Sequence, residues 1–259
     1  MTKRFPQALC LLSILLIPLS ASPQQDPSAA YPPELKQALQ RVGSAAAELM
    51  QSIPSFTCDE TAVSQAIRDH KTLRTVSLSG VVRTIRKPDG RMVETYTYKH
   101  EHILLFIPKF PPLFVRGGFD SALVYFAPSV QACYRYSLSP GRIDFETRTG
   151  PVSGHFCTEQ GLKGFALLDA DGDITHIERT LPPDVAKPLK LVTFAAIDIT
   201  PVTLNGHIYP LSHHMIADMP LSNAMGHFEA TYNNCHLFTA TVTLGPATEV
   251  PPASPPQPQ

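Results

Sequence analysis

The sequence predicts a mainly β protein of α+β type: a single curved antiparallel sheet covered by one N-terminal amphipathic helix. Three observations carry that expectation. The stretch Phe165–Ala217 reads FALLDADGDITHIERTL, then a proline-marked loop, then LKLVTFAAIDITPVTLNGHIYPLSHHMIA, which is three or four strands separated by turn residues. The flanking segments repeat the same alternation, giving about nine to eleven strands, a number that suits one sheet better than two domains. Only one long segment has helical periodicity. Leu35, Leu39, Val42, Ala46 and Leu49 recur at i, i+4, i+7, i+11 and i+14, with Lys36, Gln37, Gln40, Arg41 and Glu48 on the other face.

Composition narrows the function classes. Charged residues are 17% of the 259 and the formal net charge is -1, so no basic surface strong enough to hold nucleic acid is expected. Met1–Ala21 has the form of a signal peptide. Lys3 and Arg4 form a basic start, and Ala8–Leu19 is an apolar run too short to span a bilayer, with cleavage expected after Ala21. Export to the periplasm or the extracellular space follows, with no integral membrane segment in the mature chain. Cys10 precedes most of the apolar run and is not a lipobox cysteine. The mature chain keeps Cys58, Cys133, Cys157 and Cys235, an even number that in an exported protein points to disulfides. Three pairings exist. We favour Cys133–Cys157, closing a local segment, with Cys58–Cys235 tying the first strand to a late one.

Along the chain, residues 22–33 are rich in Pro, Gln, Ser and Ala and read as a flexible leader. Residues 34–245 form the domain, and the Pro-rich residues 246–259 read as a disordered tail. Pro32 and Pro33 suit a helix start, and Ile53-Pro54 ends the helix near Ser52. Strand signals begin at Ser55. Val63–Lys71 is ambiguous between strand and loop. Leu73–Arg86 and Met92–His102 are strands joined by the turn Lys87-Pro-Asp-Gly90. Phe119, Ala122, Leu123 and Phe126 predict a short helix before Pro128. Cys133–Leu138 and Arg142–Arg148 form a hairpin. Beyond the central meander, His227–Tyr232 and Phe238–Leu244 alternate as strands, the latter most cleanly.

The segments Ser55-Phe56-Thr57-Cys58, Phe165-Ala-Leu-Leu-Asp-Ala-Asp-Gly-Asp-Ile174 and Leu204-Asn-Gly-His-Ile-Tyr-Pro-Leu211, taken in this order after a signal peptide and one helix, resemble secreted bacterial proteins of unknown function with a LolA/LolB-like half-barrel fold. The resemblance implies an incomplete antiparallel barrel wrapped round a helix, and a lipid or lipoprotein acyl chain as partner. It transfers no individual ligand residue.

No motif carries catalysis. Gly150-Pro-Val-Ser153-Gly154 lacks the spacing of a nucleophile elbow. In Asp169-Ala-Asp171-Gly172-Asp173 the glycine is fourth and Glu178 tenth, where a calcium loop needs them sixth and twelfth, so this is a hairpin turn. His100-x-His102 would share a strand face, yet no third ligand is identifiable, whereas His213 and His214 would point oppositely. No cofactor or metal is expected. What remains is the apolar inner face, for which we expect Val76, Leu78, Val82, Tyr96, Tyr98, Phe106, Phe165, Leu167 and Phe194 as ligand-lining residues, with Leu104, Val192 and Ile208 beside them. The expected function is non-enzymatic binding of a lipid, acyl chain or other hydrophobic ligand. The alternatives are an envelope scaffold with a filled core and, behind it, a metal-dependent hydrolase. Oligomeric state is not readable.

Overall fold

The computed structural model describes residues 31–98, 115, 118–119, 122–149, 157 and 160–239. The leader peptide, the tail, the strand expected over residues 240–244, Leu104, Phe106 and the His100-x-His102 pair lie outside them. The described chain runs from helix α1 (Pro33–Ser52) through strands β1 (Phe56–Arg68), β2 (Lys71–Arg86) and β3 (Met92–Tyr98), and then two short 3-10 turns, Val124–Phe126 and Gln131–Cys133. Strands β4 (Tyr134–Ser139), β5 (Arg142–Thr147), β6 (Lys163–Leu168) and β7 (Ile174–Thr180) follow. Helix α2 (Pro183–Leu189) precedes β8 (Phe194–Leu204), β9 (His207–Pro220) and β10 (Met225–Leu237).

The ten strands make one antiparallel sheet in the order β3-β2-β1-β10-β9-β8-β7-β6-β5-β4. It is two meanders joined where β1 pairs with β10, so among the described residues the open edges are β3 and β4. Tyr31, just before α1, accepts the Tyr136 amide of β4 at 3.2 Å. At the other end of the same helix, Arg86 of β2 donates to the carbonyls of Ile53 (2.8 Å) and Met50 (3.0 Å), and Tyr209 of β9 to Ser52. Strands close to both edges thus grip one helix, and the sheet curls round it. Arg86 supplies the cation that α1 lacks in its own last turn, satisfying carbonyls the helix cannot.

The periodic face of α1 is buried as its sequence predicts, with Leu35, Leu39, Val42, Ala46 and Leu49 turned inward. A second layer helps to fill the concavity: Phe119, Ala122, Leu123, Tyr125 and Phe126 are all buried. The helix expected there is instead the 3-10 turn Val124–Phe126. Its spacing marks a packed face rather than an α-helix, and Pro128 follows at once.

Three other boundaries differ from the sequence reading. Val63–Lys71 is strand as far as Arg68. It turns through Asp69 and His70, both with positive φ (51° and 61°), the conformation of a two-residue hairpin turn. The proline-marked loop holds α2, started by Pro183 and stopped by Lys190 in the left-handed region. β10 continues to Leu237, so Phe238 and Thr239 lie past its end; the Phe238 amide binds the Ser55 carbonyl at 2.9 Å.

Two disulfides tie the sheet, Cys58–Cys235 and Cys133–Cys157, which is the pairing favoured from sequence. The first sits at a bulge where the β1–β10 register shifts between Thr57 and Asp59. Asn234 takes positive φ there and its amide donates to Asp59 at 2.9 Å.

Candidate functional site: a crevice between the helix and the sheet

Helix α1 does not seal the sheet over its whole length. Between it and β7–β9 lies a crevice of about 220 Å³. Val42, Ala45 and Leu49 form the helix wall, Leu123 the inner end, and Ile174, Ile199, Pro201, Tyr209 and Pro210 the sheet wall. The crevice lies at the irregular end of the β8–β9 pair. Its register shifts between Asp198 and Ile199, and two steps later Pro201 faces Pro210, so neither residue can donate an amide to the ladder. At the mouth stands Ile208, 67% exposed.

The mouth is acidic. Glu48, Asp169 and Asp173 line it, and Arg41 reaches across from α1 to Asp173 at 2.9 Å. Asp169 Oδ1 accepts the amides of Asp171 and Asp173, both at 2.9 Å, and Gly172 takes a φ of +83°. The Asp-rich segment is therefore a hairpin turn that caps its own backbone and latches to the helix through Arg41.

The expected lining residues divide into groups. Val76, Leu78, Val82, Tyr96 and Tyr98 share the concave side of β2 and β3, where Leu78 and Val82 are buried in the core. Phe165, Leu167 and Phe194 do not: the inner positions of their strands belong to Ala166 and Ala195, so these three lie on the outer face. Phe165 there carries the Arg142 guanidinium at 3.8 Å and neighbours His176. Of the further candidates, Ile208 stands at the crevice mouth, and Val192 lines a smaller cavity of about 100 Å³ beside Gly118, Met215 and Ala217.

Two polar groupings emerge that the sequence reading does not single out. On the outer face, His176 Nδ1 lies 2.6 Å and His214 Nδ1 3.1 Å from the two oxygens of Asp198, and His214 Nε2 lies 3.0 Å from Glu229. This cross-strand ladder spans β7 to β10. Burial pushes the Asp198 carboxyl up, but the hydrogen bonds from His176 and His214 outweigh it and hold the group below its ordinary range. On the concave face, Glu60 is 1% exposed and faces the hydroxyls of Tyr98 and Tyr232. Burial pushes Glu60 up to about 7; the Tyr98 and Tyr232 hydroxyls pull it down and Glu94 adds to the rise. Among the described residues no group of three or more His, Cys, Asp or Glu could hold a metal ion, and no helix is long and apolar enough to cross a membrane.

Three solved structures align with most of this chain. A LolA superfamily protein from Nitrosomonas europaea aligns at 11% identity over 78% of this chain and 94% of its own, with a TM-score of 0.33. A DUF1329 family protein from Desulfovibrio piger aligns at 10% identity over 79% and 95%, with a TM-score of 0.37. A domain from Vibrio parahaemolyticus, assigned as an outer membrane lipoprotein-sorting protein, aligns at 7% identity over 80% and 94%, with a TM-score of 0.36. No family model and no curated protein sequence matches the chain. At these identities and TM-scores the alignments carry no functional argument, and the functional reading rests on the crevice.

Proposed function

We propose that the protein is an exported, non-enzymatic binder that holds a lipid, an acyl chain or another apolar chain between α1 and strands β7–β9. The observation that carries this reading is the crevice of about 220 Å³ with apolar walls and an exposed isoleucine at its mouth. Pockets for drug-sized ligands run from about 300 to 1,000 Å³, so this one suits a segment of a chain rather than a whole amphiphile. Burying methylene groups stabilises by about 0.8 kcal/mol each, enough for a short apolar segment to bind without strong polar contacts. The two disulfides support an oxidising compartment such as the periplasm.

The test is native mass spectrometry of protein purified without detergent, with solvent extraction of the same sample. The expected result is an added mass in the range of acyl-bearing lipids, lost in Ala45→Phe, whose ring fills the helix wall. Protein that carries no added mass and takes up none from lipid micelles overturns the reading.

One observation favours a second reading, an envelope interaction domain with a filled core. Under β1 and β2 the concavity is closed, with Phe56 and Val82 buried beneath Phe119 and the end of α1, while β3 and β4 are edge strands among the described residues. Empty protein that instead retains a partner through an edge strand supports it.

A further inference from the structure

We infer that the crevice between α1 and β7–β9 selects an apolar chain that ends in an ammonium head and disfavours one that ends in a carboxylate. This selectivity rests on the proposed binding of an apolar chain in the same crevice and adds the charge of the ligand's head.

The charge around the opening is one-sided. Three carboxylates, Glu48, Asp169 and Asp173, line the crevice, and no Lys, Arg or His stands among its described lining residues. The other polar lining is neutral. It consists of Thr175, Thr200 and Tyr209, whose hydroxyl already donates to the Ser52 carbonyl at 3.2 Å. His207 lies beside Tyr209, with ring centres 6.5 Å apart, but does not line the crevice.

Helix spacing puts one acid there. Arg41, Ala45 and Glu48 stand at i, i+4 and i+7, along one stripe of α1. Arg41 reaches Asp173 at 2.9 Å, Ala45 walls the crevice, and Glu48 follows one turn on. Opposite them, the turn between β6 and β7 presents Asp169 and Asp173, with Asp171 between the two. Compensation among these acids is incomplete. Arg41 offsets Asp173. Asp169 accepts the amides of Asp171 and Asp173, which are dipoles and leave its charge in place. Among the described residues no cation pairs with Glu48 or Asp169.

A chain laid against Ala45, Leu49 and Ile199 would leave its head at this mouth, beside Glu48 and Asp169. Both acids are exposed, so water screens them and the result is a preference rather than a barrier. At several ångströms in water, each uncompensated charge shifts affinity by about two- to threefold, upward for an ammonium and downward for a carboxylate. Two such charges separate the heads by about tenfold or more.

The experiment is titration calorimetry of the delipidated full chain with decylamine, decanoate and 1-decanol at about pH 7.5, where the amine is protonated and the acid ionised. Each is measured in low salt and again in about 0.5 M salt. In low salt decylammonium should bind about tenfold or more tightly than decanoate, with decanol between them, and added salt should shrink the gap. Glu48→Gln should narrow the gap and Glu48→Lys should close it, with thermal unfolding confirming that both variants fold. Decanoate binding as tightly as decylammonium in low salt overturns the proposal, as does a gap that Glu48→Lys leaves unchanged. If decanol binds and the two charged heads do not differ, the apolar crevice stands and only the head preference falls. If none of the three binds, the proposed function falls with it.

Discussion

The two disulfides close loops of very different length, and their contributions to stability should differ accordingly. Cys58 and Cys235 are 177 residues apart, whereas Cys133 and Cys157 are 24 apart. In the chain-entropy picture the long loop stabilises the fold by about 5 kcal/mol and the short one by about 3.5 kcal/mol. Their difference, about 1.8 kcal/mol, depends only on the ratio of loop lengths and is the firmer number. The perturbation is paired replacement, Cys58→Ala with Cys235→Ala against Cys133→Ala with Cys157→Ala. Equilibrium urea unfolding gives both free energies from midpoint and slope. Packing works in the same direction, because Cys58 is wholly buried beside the β1–β10 bulge and its truncation leaves a small void. A variant lacking Cys58–Cys235 that is as stable as, or more stable than, the one lacking Cys133–Cys157 would show that loop length does not set the order. The bulge at Asn234 would then hold the two strands without the covalent bond.

Further outcomes follow from single residues. Arg86→Ala leaves the carbonyls of Met50, Ile53 and Gly90 without their charged donor. It should cost about 2 kcal/mol in urea unfolding, and Arg86→Lys should restore only part, because an ammonium cannot reproduce the guanidinium fork. Glu60 has a folded-state value near 7 against an ordinary 4.5. The folded chain therefore holds a proton that the unfolded chain has released over that window. Stability should be greatest below about pH 4.5 on this account and fall by about 3 kcal/mol as pH rises through 7, a slope that Glu60→Gln should flatten in unfolding measured at several pH values.

Periodicity and turn chemistry made much of the fold legible. The inward face of α1 follows from Leu35, Leu39, Val42, Ala46 and Leu49, and Asn205-Gly206, both at positive φ, joins β8 to β9 as an Asn-Gly pair should. Asp69-His70 makes the same kind of turn without the glycine, so β1 reads as ambiguous beyond Val63. Helix α2 was hidden because Pro182, Pro183 and Pro188 read as loop punctuation, though one starts the helix and another sits in its last turn.

The site was less legible. Large apolar residues do not by themselves mark the inner face, because α1 and the segment around Phe126 supply much of the core volume. The inner positions of β6 and β8 can therefore be small, Ala166 and Ala195, leaving Phe165, Leu167 and Phe194 outside. Glu60 did carry a sequence signal, an acid at an inward position between Cys58 and Ala62. Its meaning depended on Tyr98 and Tyr232, which only strand register places beside it. The crevice depended on Pro201 facing Pro210, a juxtaposition across a hairpin that neither proline announces alone.

On the proposed function, the space between α1 and β7–β9 takes an apolar chain. Its most direct test is uptake of the neutral fluorescent probe N-phenylnaphthylamine by delipidated protein, compared between wild type and Ala45→Phe and followed by displacement with a long-chain alcohol. Wild type should show saturable fluorescence enhancement and displacement by the alcohol, and a well-folded Ala45→Phe should lose affinity by about tenfold or more. Equal uptake by both proteins, or none by the wild type, would contradict it.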